Sequence, residues 1–210
     1  MRFIDVPNLQ DLTNVLSTMN CGDQKLDARI ELYSCDRQSP QGSPGSRRNS
    51  SPSTYLSNPR CITEMMKQIL SETYPEYQFN QLRSSQFVKQ SYSSSVINAV
   101  NQTLGCVVER SHPGLLDEIW QILRELIDLP ACDIYELTQD ALNESRLWSF
   151  YLFWHDKVHS KVLFFSCRSQ SRWFHSSAGS DMDSRASSNW SRSSSRVDMG
   201  GMSNSEEEFV

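Results

Sequence analysis

The spacing of hydrophobic positions changes period along the chain, and each change marks an element. Leu9, Leu12, Leu16 and Met19 recur three or four residues apart, which predicts a helix over about 9–19. Asn8 reads as its N-cap with Asp11 in the first turn, and Asn20-Cys21-Gly22-Asp23 ends it. Leu26, Ala28, Ile30 and Leu32 then alternate with Asp27, Arg29, Glu31 and Tyr33, predicting a strand over 26–35 with one buried face. Helical spacing returns in Ile62, Met65, Met66, Ile69 and Leu70, closed by Tyr74-Pro75, and again in Val96, Ile97, Val100 and Leu104 within about 94–108. After Pro113-Gly114, the positions Leu115, Leu116, Ile119, Trp120, Leu123, Leu126 and Ile127 make the strongest amphipathic helix, which Pro130 stops. A short strand is predicted over 132–137. Leu147 to Trp154 and Val162 to Cys167 are aromatic and β-branched runs around Asp156-Lys157-Val158-His159-Ser160, the pattern of a hairpin. On its first strand Trp148, Phe150, Leu152 and Trp154 point one way and Tyr151 and Phe153 the other, as expected where helices cover both faces. These elements imply an α+β fold: a single globular domain with a mostly antiparallel β-sheet packed against helices.

Two segments carry no such pattern. Residues 37–59 hold seven Ser, four Pro and two Gly, and residues 169–210 hold 14 Ser with few aliphatics. Both are expected to be disordered, one a linker and one a tail. About 145 of the 210 residues remain, the usual size of one domain. A flexible coil of the linker's length spans ~27 Å, so 1–36 and 60–168 can rejoin as one domain. The net charge of −5, with no strongly basic segment, disfavours direct nucleic-acid binding, which draws most of its affinity from phosphate neutralisation. No run of 18 apolar residues is present to span a membrane, and Asp5, Asn8 and Asp11 interrupt any signal-peptide core. The six cysteines, at 21, 35, 61, 106, 132 and 167, form no Cys-x-x-Cys pair. Cys106, Cys132 and Cys167 lie inside apolar patterns and read as core thiols of a reducing compartment, cytosol or nucleus.

A catalytic reading finds no convergent set of groups. His155 and His159 flank the predicted turn and read as surface histidines rather than zinc ligands. Cys167, between Ser166 and Arg168 on a strand, reads as core rather than as a nucleophile. No phosphate-cradling glycine loop, Gly-x-Ser-x-Gly elbow or His-Glu-x-x-His motif occurs, so neither enzyme, cofactor nor metal is expected.

Four boxes in order carry a family resemblance. Arg29-Ile30-Glu31-Leu32-Tyr33-Ser34-Cys35, Tyr74-Pro75-Glu76-Tyr77-Gln78-Phe79, Cys132-Asp133-Ile134-Tyr135, and the paired Leu147-Trp148-Ser149-Phe150 and Phe164-Phe165-Ser166-Cys167-Arg168-Ser169 resemble the motifs of the Maf-one family, negative regulators of RNA polymerase III. The resemblance covers about 1–36 and 60–169. It marks Arg29, Ile30, Tyr33, Cys35, Trp148, Phe150, Phe164 and Phe165 as structural motif residues. The family's turn between the long strands is rich in Lys and Arg, whereas here only Lys157 and Lys161 are basic. After Tyr135 the chain also departs from the family's Ser-Tyr-Asn-Pro-Asp, with Glu136-Leu137-Thr138-Gln139-Asp140.

The resemblance implies a repressor that binds RNA polymerase III. Such a protein hinders recruitment of the polymerase to the initiation factor containing the TATA-binding protein and a TFIIB-related subunit. It would lower transcription of transfer RNA and 5S ribosomal RNA genes under starvation or stress. Lys157, Lys161 and Arg168 are the expected polymerase contacts, since charges near a turn or strand end suit a recognition rim. Arg47-Arg48-Asn49-Ser50 fits the pattern of basophilic kinases, and Ser39, Ser43 and Ser51 precede prolines. Ser203 and Ser205, before Glu206-Glu207-Glu208, are further sites. Kinases and phosphatases are therefore expected partners, and the protein is expected to shuttle between nucleus and cytoplasm with its phosphorylation state. Two other classes remain open on the residues alone: a phospho-regulated adaptor with another partner, and a small hydrolase using Cys167.

Overall fold

The structure, a computed structural model, describes residues 1–35, 59–138 and 146–172. Among them run β1 (Arg2–Ile4), α1 (Pro7–Thr18), β2 (Gln24–Ser34), α2 (Pro59–Thr73), β3 (Phe87–Gln90), α3 (Ser93–Val108), α4 (Leu115–Leu126), β4 (Asp133–Leu137), β5 (Arg146–Asp156) and β6 (Lys161–Ser171). The strands form one antiparallel sheet in the order β1-β2-β6-β5-β4-β3. Most of the predicted linker and tail, and all the phosphorylation candidates, lie outside the described residues.

Helices cover the sheet on both sides. Leu9, Leu12 and Leu16 of α1, Val96, Val100 and Leu104 of α3 and Ile119, Trp120 and Leu123 of α4 pack on one face, against Ile30, Phe150, Leu152, Trp154 and Phe165. Ile62, Met66, Ile69 and Leu70 of α2 pack on the other, with Tyr74 and Phe79, against Tyr33, Tyr151, Phe153 and Phe164. The two-way orientation expected along β5 is therefore present. Phe164 and Phe165 are neighbours on one strand yet belong to opposite cores, which explains why Val162 to Phe165 reads as a continuous apolar run. Trp120 stacks edge-on against Trp154 and Phe165, and its indole N–H donates to Asn101 Oδ1 at 2.6 Å, fixing α4 to α3 and the sheet together.

Several expectations shift. The first helix starts at Pro7, not after Asn8, and Val6 is its N-cap. Proline suits the first helical position, where its fixed φ fits and its missing N–H would have no partner. Two edge strands, β1 and β3, join the four expected ones. β6 continues to Ser171, past the expected start of the tail, because it pairs with β2 along the whole length of β2, from Gln24 to Ser34. Cys106 is exposed on α3 and Cys132 half-buried, so of the three thiols assigned to the core only Cys167 is fully inside. No helix among the described residues is long and apolar enough to cross a membrane.

The open edge of β2 is closed in an unusual way. β1 pairs only with Leu32, Tyr33 and Ser34, leaving the same edge bare further back. There α1 lies alongside and two of its hydroxyls replace a strand. Thr13 Oγ1 accepts the Ile30 amide at 3.2 Å, and Ser17 Oγ meets both the amide of Ala28 at 3.3 Å and its carbonyl at 3.5 Å. Thr13 and Ser17 are one turn apart on the helix, matching the alternate, same-edge positions 28 and 30.

Candidate functional site

The first and last sequence boxes meet at the β2–β6 pair, and the second packs against it. The register sets Asp27 opposite Arg168, Arg29 opposite Ser166 and Tyr33 opposite Val162. Arg168 pairs with Asp27 through its guanidinium, which also lies 4.5 Å over the Tyr74 ring. The hydroxyls of Tyr74 and Ser166 share a hydrogen bond of 2.7 Å. Beside them Tyr33 and Thr73 both donate to Glu31 Oε2 at 2.7 Å. Residues from the first, second and last boxes thus form one polar network between α2 and the sheet. Burial pushes the Tyr33 and Tyr74 hydroxyls far above their ordinary value, so both stay protonated. This network holds the fold; its charged members are largely inside.

The opposite end of β5 and β6 is different in kind. Asp156, 3% exposed, turns its carboxylate into the loop. Oδ1 accepts the amides of Val158 and His159 at 3.0 Å each, and Oδ2 lies 2.7 Å from His159 Nδ1. Burial alone would raise the Asp156 carboxyl, but His159 and the Val158 amide hold it below the usual carboxylate range. Ser160 closes the turn with φ of 49°, and its carbonyl accepts the Cys35 amide at 2.8 Å. Next to the turn, Asp133 at the start of β4 binds two lysines: Lys89 Nζ at 2.9 Å and Lys157 Nζ at 2.5 Å. Burial works against the Asp133 charge, and the two ammonium groups more than offset it, lowering its pKa. Lys161 is half-buried, its Nζ 3.5 Å from the Leu126 carbonyl at the end of α4. A groove of about 530 Å³ opens there, lined by Arg124, Asp128, Pro130, His159 and Lys161 among others.

Of the three expected contact residues, Lys157 and Lys161 therefore stand together at the turn, and Arg168 does not. It is 6% exposed and engaged with Asp27 and Tyr74, at the far end of the strand. The partner that draws it inward is 141 positions away in sequence, so no local pattern reveals it. His155 is also a correction. It is fully buried rather than on a surface turn, because β5 runs on to Asp156 and carries its ring under the covered face. His159 does lie in the turn, its side chain 59% exposed. Of the motif residues, Ile30, Tyr33, Phe150, Phe164 and Phe165 are buried in the sheet, Arg29 lies partly exposed on β2, and Trp148 and Cys35 are half-buried at the sheet's ends. Cys167 has no exposed surface, and burial pushes its thiol far up, so it offers no accessible thiolate. Among the described residues no group of three His, Cys, Asp or Glu side chains is placed to hold a metal, and no disulfide joins the cysteines. Sequence reasoning missed Lys89, Asp133 and Val158; only the Asp156 side chain has a local signature, an Asp two residues before the centre of a turn.

The Maf1 regulator family model matches residues 12–166, most of the chain and all four boxes but the last few positions. The chain belongs to this family. A Dictyostelium discoideum protein named "Repressor of RNA polymerase III transcription" is 30% identical over 105 residues, 48% of this chain and 38% of its own length. The Schizosaccharomyces pombe protein "Repressor of RNA polymerase III transcription maf1" is 28% identical over 102 residues, 46% of this chain and 42% of its own. The matched stretch thus spans well under half the length of these curated relatives. Two crystal forms of citrus MAF1 share the fold, with TM-scores of 0.56 and 0.58 at 19% and 20% identity, covering 79% of this chain and 99% of theirs.

Proposed function

We propose that this protein represses transcription by RNA polymerase III, binding the polymerase and hindering its recruitment to the initiation factor that contains the TATA-binding protein and a TFIIB-related subunit. Membership of the Maf1 regulator family, together with relatives named as repressors of this polymerase, carries the reading. The hairpin turn supplies a contact surface that costs the fold little: Lys157 is half-exposed on a braced loop and Lys161 stands beside it. Repression by binding needs no catalytic group, and the buried Cys167 thiol argues against the hydrolase alternative.

Control by phosphorylation belongs to the same proposal. Phosphate on Ser50, and on Ser39, Ser43 or Ser51 in the same linker, adds about −1.5 to −2 per site to a segment that starts at +3, so two phosphates neutralise or reverse its charge. The phosphorylated form stays in the cytoplasm and the dephosphorylated form enters the nucleus on starvation. The test is depletion of the protein followed by measurement of precursor transfer RNA. Levels should rise, most of all in starved cells, and a Ser50→Ala protein should repress in fed cells too. Unchanged precursor levels in both states would refute repression.

A further inference from the structure

We propose that the β5–β6 turn is a docking knob for an acidic protein surface, with Val158 as its apolar anchor and Lys89, a residue of β3, completing a ring of cations with Lys157 and Lys161. The proposal rests on the polymerase reading and names the chemistry of the polymerase patch that receives the turn.

Three observations lead to it. Val158 is 81% exposed, more than any other large hydrophobic among the described residues. A β-branched apolar side chain at the tip of a turn gains nothing from water, and folding leaves it there. The loop that presents it is rigid: Asp156 takes two of its amides and the His159 ring, and the Cys35 amide next to β2 ties down Ser160 from outside. A braced loop loses little conformational freedom on binding, so its contacts convert efficiently into affinity.

The charges are sorted by depth. Asp156 is 3% exposed and the Asp133 side chain 19%, whereas the side chains of Lys89, Lys157 and His159 are 55%, 49% and 59% exposed. Acids lie inboard and bases outboard. The turn therefore presents a positive rim even though its local charges nearly balance, and Asp133 beneath it fixes Lys89 and Lys157 in place. A complementary surface has an apolar dimple for Val158 ringed by Asp and Glu. Nucleic acid fits less well: the chain carries a net charge of −5, and a phosphate backbone offers no dimple for an isopropyl group.

The experiment titrates purified RNA polymerase III with the full chain and three variants, at low and physiological salt, with melting temperatures measured alongside. Val158→Asp should weaken binding at least roughly tenfold, since it removes the anchor and sets a carboxylate against an acidic rim. The Lys89→Gln, Lys157→Gln double variant should lose a similar factor and show a flatter salt dependence. Lys25→Glu, an exposed lysine on β2 far from the turn, should bind like the unmodified chain. Glutamine is used because a new carboxylate beside Asp133 would disturb the fold itself. If the unmodified chain binds polymerase and Val158→Asp binds equally well with an unchanged melting temperature, the knob is wrong while the repressor reading stands. If the unmodified chain does not bind polymerase at all, both fail. Tighter binding to duplex DNA than to polymerase would also overturn the proposal.

Discussion

His155 sits one residue before the end of β5 with no exposed surface, and among the described residues neither ring nitrogen has a hydrogen-bond partner. Burial pushes its imidazole below the ordinary value; Asp133 and Asp156 pull upward and Lys157 and Lys89 pull down again. The ring is neutral in the fold, while in the unfolded chain it takes a proton below about pH 6.5. As pH falls through that point the unfolded state binds more protons than the native one, so stability falls with it. The carboxylates act later. Asp133 and Asp156, both lowered, contribute stability above about pH 4 and lose it only below. Acid should therefore weaken the protein in two steps. Melting temperatures recorded across the acid range should show the first loss beginning near pH 6.5 in the native chain. His155→Gln should remove that first loss and keep the second. A pH profile identical to the native one would show that the buried ring does not titrate differently on unfolding.

The contact between α1 and β2 shows how an element can be protected without a neighbouring strand. A bare edge offers unpaired backbone groups to any other strand, and proteins commonly cover or interrupt it. Here Thr13 and Ser17 do so with two hydroxyls at the right pitch. Thr13→Val and Ser17→Ala should each cost about 1 kcal/mol. Amide exchange should localise the effect, with faster exchange at Ile30 for the first and at Ala28 for the second; unchanged rates would mean that the helix alone shields the edge. The elements legible in the amino-acid sequence are those with a long, uninterrupted pattern. β2 alternates from Leu26 to Leu32, and β5 and β6 carry the apolar runs Phe150–Trp154 and Val162–Phe165, so all three stand out from the residue order alone. β1 and β3 have three and four residues, and in β3 only Phe87 is buried, too little for a period of two to emerge. The same limit governs the site. Lys157 and Lys161 are readable because they flank one turn, whereas Lys89 reaches them only through Asp133, across β4 and β5. Arg168 is turned inward by a residue near the other end of the chain.

At the scale of the whole molecule, β2 is held between β1 and β6 while the rest of the sheet comes from Phe87 onward. Deleting residues 38–58 should leave a soluble, cooperatively melting protein, because loop closure depends only weakly on length. A chain starting at Arg60 should instead be molten or aggregate, since it loses α1, β1 and β2 and leaves β6 bare along one edge. Normal, sharp melting of that truncated chain would show that the first 35 residues are an accessory to the sheet rather than part of it. The β2–β6 ladder has a further consequence, in the order of synthesis. Ser34 pairs with Lys161, 127 residues later. At roughly 5–20 residues per second, the ribosome takes about 6–25 s to supply the partner after β2 is made. Through that interval Leu26, Ile30 and Leu32 have their helix α1 but only three residues of strand pairing, in β1. The N-terminal segment must therefore wait, half-covered, for the last strand of the domain, and in a newborn chain α1 is what shields β2 from its neighbours on the same polysome.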